Sequence, residues 1–224
     1  MIYFAKQRFA ISLSIVTAIA CWLIVVSNVI YFTGEESRFH LEKGALARNP
    51  WWLATFYFHI VGASISLAAG LPLMFPAWTR KYPAWHRWLG YLYFNAVLWM
   101  AAPTGLVLAF TAKGGLLGTA GFVVAGLMWW QTTWAGYQAI RRHDLPTHIR
   151  AMVRSFAWAL SAPAFRIIQI ALYAGGLDDT TNYVLSLWLS MAASVWLAES
   201  CLFRIGRSTQ VAALAPSPST GVLS

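Results

Sequence analysis

Charge is what this sequence has least of. Of its 224 residues only 10% are charged, against roughly a quarter in an ordinary soluble chain. Acidic residues are scarcer still, with 7 Asp and Glu against 16 Lys and Arg. Disorder requires low hydrophobicity with high charge, so that class is excluded. Cysteine is almost missing as well. Cys21 and Cys201 both fall inside apolar runs, which excludes a disulfide framework or thiolate metal motif and leaves two small buried hydrophobes. Hydrolytic and phosphoryl-transfer signatures are absent too. There is no His-Glu-x-x-His, no glycine-rich loop ending in Lys-Ser/Thr, and no readable Ser-His-acid grouping.

The surplus is apolar. Hydrophobic residues make up 59% of the chain, with 13 Trp and 13 Phe, and the mean hydropathy is +0.58. A soluble core of this size has no room for so many large side chains. The fold class that remains is all-α, a polytopic membrane protein built as a helix bundle. Six stretches reach the roughly 20 apolar residues a span needs: 10–32, 52–75, 84–111, 116–140, 147–174 and 182–203. Together they predict a six-helix transmembrane domain over 1–207. The remainder, 208–224, is rich in Ser, Pro, Ala and Thr and reads as a disordered tail. The first stretch follows Lys6 and Arg8, yet is longer than a signal-peptide core and has no small-x-small cleavage site after it, so it reads as a retained helix.

Basic residues set the orientation. Lys6, Arg8, Arg80, Lys81, Arg87, Arg141, Arg142, Arg150, Arg204 and Arg207 fall on one side, and Arg38, Lys43, Arg48 and Lys113 on the other. The richer side is cytoplasmic by the positive-inside bias, which places both termini there, in a bacterial inner membrane. The same distribution accounts for the net charge of +9 without a nucleic-acid partner.

Ionisable residues at membrane depth are the informative ones. His59 sits about 10–12 Å below the outer end of its span, on a stripe with Thr55, Ala63, Ser66 and Gly70. Small residues at that spacing allow close helix approach, so His59 faces the bundle interior, either bridging helices or touching a ligand. Arg166 reaches a similar outer depth, with no acidic residue at its level in any span. Pro163 before it frees the carbonyl of Ala159 as a partial partner. Its two readings are a structural role and the binding of an anionic group. His148, Ser155, Ala159, Ala162 and Arg166 share one helix face, so His148 and Arg166 point into one interior. Glu199, near the inner end of its span, reads as the partner of a loop arginine or as a proton-handling carboxylate. Gln131, Thr132 and Thr133 are candidates for bonds between helices, and Trp51, Trp52, Trp78, Trp85 and Trp88 for an interfacial belt.

A faint repeat links Pro83-x-x-His86-Arg87 with Pro146-x-His148-x-Arg150. Each helix start is followed by a mid-span proline, Pro103 and Pro163, and Asp144 is a plausible cap for the second helix. The repeat would set His86 and His148 at equal depth on the cytoplasmic side. A haem b between two helices takes one imidazole from each, and Arg87 and Arg150 would then pair with its propionates. Interfacial contacts to lipid headgroups are the competing reading.

The pattern His59-x-x-Gly62, His86-Arg87-Trp-Leu-Gly90 and His148-Ile-Arg-Ala-Met152-Val-Arg154-Ser155, followed by Arg166, resembles the bacterial predicted membrane proteins called domain of unknown function 2306, over about 50–175. That resemblance implies the topology and singles out residues without implying a reaction. A looser likeness is to transmembrane b-type cytochromes. Their two-haem members need four histidines, and span four offers none to pair with His59, so at most one bis-histidine site fits. The leading expectation is a haem-b-binding redox or electron-transfer protein with His86 and His148 as axial, metal-ligating residues. Two alternatives stand beside it: a small-anion transporter or binding protein centred on Arg166 and His59, and an accessory subunit of a larger membrane complex. The partners expected are the lipid bilayer and either other membrane subunits or a quinone.

Overall fold

The computed structural model describes residues 38–214, with side chains over 41–75 and 78–207. The first expected span at 10–32, with Lys6, Arg8 and Cys21, lies outside the described residues, as does the end of the tail from 215. Every described element is a helix: α1 (Arg38–Lys43), a 3₁₀ turn (Leu46–Arg48), α2 (Pro50–Leu73), α3 (Pro76–Lys81), α4 (Pro83–Ala109), α5 (Gly115–Arg141), α6 (Leu145–Ala174) and α7 (Asp179–Leu214).

The local sequence explains where the helices start. Asn49 accepts from the backbone of Trp51 at 2.9 Å and Trp52 at 3.3 Å, with Pro50 in the first turn of α2. Asp144 caps α6 by accepting from Thr147 at 3.1 Å, as its sequence position implied, and these bonds hold its carboxyl below the usual range. Both residues supply an acceptor to backbone donors that the first turn leaves without partners. Asp178 does the same for Thr181 at 2.9 Å ahead of α7. Between α4 and α5 the chain turns through Gly114, whose φ of +90° lies in the region glycine tolerates best.

Four of these helices are long and apolar enough to cross a membrane: Pro50–Leu73, Pro83–Ala109, Leu145–Ala174 and, within α7, Asp179–Arg207. The 27 residues of α5 would span about 40 Å at 1.5 Å each, but Gly, Trp, Gln and Thr dilute its apolar content. It nevertheless packs against α4, α6 and α7. α7 stays helical through Leu214, into the stretch read as tail. Val211, Ala212, Ala213 and Leu214 precede the first helix-incompatible residue, Pro216.

The helices leave two ends to the bundle. One carries α1 and the α4–α5 and α6–α7 connections; the other, the basic end, carries α3 and the α5–α6 turn. The main core cluster includes Leu67, Leu73, Tyr93, Val97, Phe156 and Leu160, and a smaller one, Phe165, Leu187 and Met191, joins α6 to α7. α7 turns Asn182, Ser186, Ser190 and Ser194 inward, all buried. Asn182 donates to the Gln169 carbonyl at 3.1 Å and Ser186 donates to Asn182 at 2.9 Å, which satisfies polar groups that burial would otherwise penalise.

α4 does not run as a uniform α-helix. Ala96–Ala101 form a π segment, in which Ala102 donates to the carbonyl of Val97. Pro103 follows at once. Proline has no N–H and its ring crowds the preceding turn, and one widened turn is a common way to absorb that conflict. This bulge is where α2 comes closest. A Cβ added to Gly62 would lie 2.5 Å from Met100 Cβ and 2.9 Å from the Ala101 nitrogen, so only glycine permits the approach.

Candidate functional site

His59 projects from α2 against the π segment. Its Nδ1 lies 2.7 Å from the Ala101 carbonyl oxygen, which can only accept, so Nδ1 carries the hydrogen. Thr104 Oγ1 is 3.5 Å from the same nitrogen, and its own hydrogen goes back to the carbonyl of Met100. Gly105 makes room for the ring, since a Cβ there would sit 2.8 Å from His59 Cε1. His59 thus bridges helices, one of its two expected roles, and its ring also lines a cavity.

The cavity measures about 330 Å³ and lies between α2, α4, α5, α6 and α7 toward the α1 end. His59 and Arg166 both line it, together with Lys43. His59 stands about 13 Å from the start of α2 and Arg166 about 12 Å from the end of α6, counting 1.5 Å per residue. The remaining wall is largely aromatic and aliphatic, including Trp52, Phe56, Phe122, Trp129, Trp158 and Phe165, and among the described residues no Asp or Glu lines it. Arg166 donates from Nη1 to Gln169 Oε1 at 3.0 Å and lies 5.3 Å from the Phe165 ring centre. Gln169 is thus one acceptor for Arg166; the sequence had offered the Ala159 carbonyl as a partial partner.

The rim at the α1 end is strapped shut by polar contacts. Lys43 donates to the Thr111 carbonyl at 2.6 Å, and Trp52 donates from Nε1 to Thr111 Oγ1 at 3.1 Å. Burial pushes the Lys43 ammonium below the usual lysine value; Glu42 opposes this and Lys113 adds to it. Lys113 pairs with Asp179 and, at 3.4 Å, with Glu42. Its ammonium is held above the ordinary value, chiefly by the hydrogen bond to Asp179. Trp52 is thereby a buried wall residue, 8% exposed and stacked on Phe56 at 5.5 Å, whereas Trp51, Trp85 and Trp88 are exposed as belt residues would be. The difference comes from the α-helical 100° step, which turns Trp52 inward while Trp51 faces out.

Beneath the cavity floor lies a closed ring of hydrogen bonds. Thr133 donates to the Trp129 carbonyl at 2.7 Å, so the 2.7 Å contact between Ser155 and Thr133 must be donated by Ser155. Ser155 must then accept from Tyr93 at 2.7 Å, and Tyr93 accepts from Trp129 Nε1 at 3.2 Å. Each hydroxyl has one hydrogen, and the assignment uses each once. Of the polar trio on α5, only Thr133 bonds to another helix in this way; Thr132 bonds back to Met128 at 2.7 Å and Gln131 is exposed. Sequence reasoning reached Thr133 and Ser155 but missed Tyr93 and Trp129, because an aromatic in an apolar run gives no sign that its polar atom is in use.

The basic end is arranged differently. His148 donates from Nδ1 to the Gly136 carbonyl at 2.8 Å. His86 stands in the first turn of α4 at the same end of the bundle. His86 Nδ1 is buried without a hydrogen-bond partner among the described residues. Arg87 and Arg150 are exposed. His148 and Arg166 share a helix, but 18 residues put them about 27 Å apart, too far to serve one site. Glu199 binds Arg154, Nε to Oε1 at 2.6 Å and Nη2 to Oε2 at 3.0 Å. The partner is a residue of α6 rather than a loop arginine, because α6 and α7 run side by side.

The model of one protein family, Predicted membrane protein (DUF2306), matches residues 56–202. The chain belongs to this family. The matched stretch runs from Phe56 in the cavity wall past Glu199, and so takes in His59, Gly62, His86, His148 and Arg166. The description states a membrane location and no activity. No curated protein and no solved structure matches the chain.

Proposed function

We propose that this membrane protein binds a small amphipathic anion in the cavity between α2, α4, α5, α6 and α7. The supporting observation is that Arg166 and His59 line one space of about 330 Å³ whose walls are otherwise largely apolar, with no carboxylate among the described residues. An anionic headgroup would meet the Arg166 guanidinium through a bidentate fork. The aromatic wall suits an apolar body, and the volume falls at the lower end of ordinary small-ligand sites. The setting of this reading is six spans, 10–32 together with α2, α4, α5, α6 and α7, in a bacterial inner membrane. Both termini are then cytoplasmic and the cavity is in the outer half.

The test is calorimetric titration of the detergent-purified full chain with benzoate and with its neutral amide. Benzoate binds and benzamide does not; Arg166→Lys, which keeps charge but loses the planar fork, weakens benzoate by about tenfold. Equal binding of acid and amide, or no binding of either, removes the reading.

A second reading places a b-type haem at the basic end. The Gly136 carbonyl favours it, since it orients His148 as axial ligands usually are. His86 and His148 would supply both axial nitrogens, with Arg87 and Arg150 near the propionates, and the bound group would supply one-electron redox chemistry. His86 lacks the corresponding anchor, which ranks this reading second. A Soret band lost in His86→Ala and His148→Ala would support it; a protein purified from haem-replete cells without one would end it.

A further inference from the structure

We infer that the occupant carries a hydroxyl as well as its anionic group, and that His59 reads that hydroxyl: the ligand class is hydroxylated aromatic carboxylates. This rests on the anion reading above and deepens it. The argument begins with the tautomer. Nδ1 of His59 faces a carbonyl at 2.7 Å, so that nitrogen is the donor and the neutral ring offers Nε2 as an acceptor. Thr104 reinforces the choice, because its only hydrogen is committed to the Met100 carbonyl and toward His59 it can only accept. Nε2 has no hydrogen bond among the described residues, and the ring lies on the cavity wall.

The two cationic side chains on that wall, Arg166 and Lys43, offer donors only. Of the hydroxyls there, Thr111, Ser161 and Ser190 donate to the backbone carbonyls of Leu108, Trp158 and Leu187. A bare carboxylate therefore answers Arg166 and sets one more acceptor beside an acceptor nitrogen. An occupant with an O–H answers both, and a site built around a substrate hydroxyl rejects the analogue that lacks it.

The walls select the body. On α2, Trp52 and Phe56 are stacked at 5.5 Å with their planes 6° apart, one turn from His59. Across the cavity, Phe165 meets Tyr183 edge-on at 5.1 Å and Phe122 at 6.3 Å. Aromatic faces and edges on both sides favour a flat ring by offset-stacked and T-shaped contacts. The hydroxyl and carboxylate must also stand apart on that ring, since His59 and Arg166 come from different helices. Meta or para placement satisfies this, and ortho placement does not.

The experiment uses the full chain in nanodiscs and compares benzoate with meta- and para-hydroxybenzoate, their methyl ethers, and ortho-hydroxybenzoate. Either the meta or the para hydroxy acid binds about tenfold more tightly than benzoate, and its ether and the ortho isomer gain nothing. His59→Phe keeps the ring volume and abolishes that preference, so that the hydroxy acid and benzoate bind alike. Benzoate bound with no hydroxyl preference, or a preference that survives His59→Phe, overturns the inference and leaves the anion reading intact. No binding of any of these acids overturns both. The wild-type comparison between ligands needs no variant, so a misfolded His59→Phe does not blunt the test.

Discussion

Histidine and arginine occur at both ends of this bundle, and the two ends use them differently. Toward α1, His59 is anchored through one nitrogen on the Ala101 carbonyl and presents the other to a cavity that it shares with Arg166. At the basic end His148 is anchored on Gly136, but His86 buries a nitrogen that has no partner among the described residues, and Arg87 and Arg150 lie exposed. The lesson is that residue type and depth do not make a site. What separates the ends is backbone: the π segment before Pro103 widens α4 and supplies a carbonyl, and Gly62 lets α2 close onto it.

That contrast can be broken most forcefully at the glycines. Gly62→Ala drives a methyl into Met100 and the Ala101 backbone and is expected to cost about 1–3 kcal/mol. The counterpart at the basic end, Gly90→Ala, meets nothing within 4 Å and should be neutral or stabilising by up to ~1 kcal/mol. Thermal unfolding in detergent separates the two. Next in size is the buried ring below the cavity. Tyr93→Phe leaves Trp129 Nε1 without its acceptor and Ser155 without its donor, for a loss of about 1–3 kcal/mol. Adding Ser155→Ala to it should cost much less than the sum of the single losses, because both act on one network.

Smaller effects sharpen the comparison. His148→Ala removes a hydrogen bond worth about 1 kcal/mol, while His86→Leu, which removes an orphaned nitrogen, should shift the unfolding temperature little. The α1-end strap is the smallest contributor. Lys113 has its folded value raised by Asp179, so its stabilising contribution is complete below pH 10.5 and is lost as pH climbs beyond that value. Asp179→Asn should therefore cost no more than about 1 kcal/mol at neutral pH, and the difference from wild type should shrink in high salt and above pH 10.5.

Much of the bundle was legible because lipid imposes simple rules. Long apolar runs, prolines at helix starts and the Asp144 cap located α2, α4 and α6 to within a few residues. The stripe through Ala63, Ser66 and Gly70 was enough to turn His59 inward. Less was legible where an atom's partner is backbone. The Ala101 and Gly136 carbonyls that hold the two histidines leave no mark in a sequence, and neither does the switch from α to π geometry beyond the presence of Pro103. Nothing in the apolar runs around Tyr93 and Trp129 marks their polar atoms as engaged, and Trp52 read as belt. The inward line of Asn182, Ser186, Ser190 and Ser194 repeats every four residues and is legible as a polar stripe on one helix face.

The most direct test of the central claim sets one end against the other in a single titration series. Benzoate affinity is measured in wild type, in Arg166→Gln, and in the double variant His86→Ala/His148→Ala, with each protein shown to be folded by its near-ultraviolet dichroism. The account predicts that Arg166→Gln loses at least about tenfold in affinity and that the double variant binds as wild type does. Affinity unchanged in Arg166→Gln, or lost only in the double variant, would contradict it.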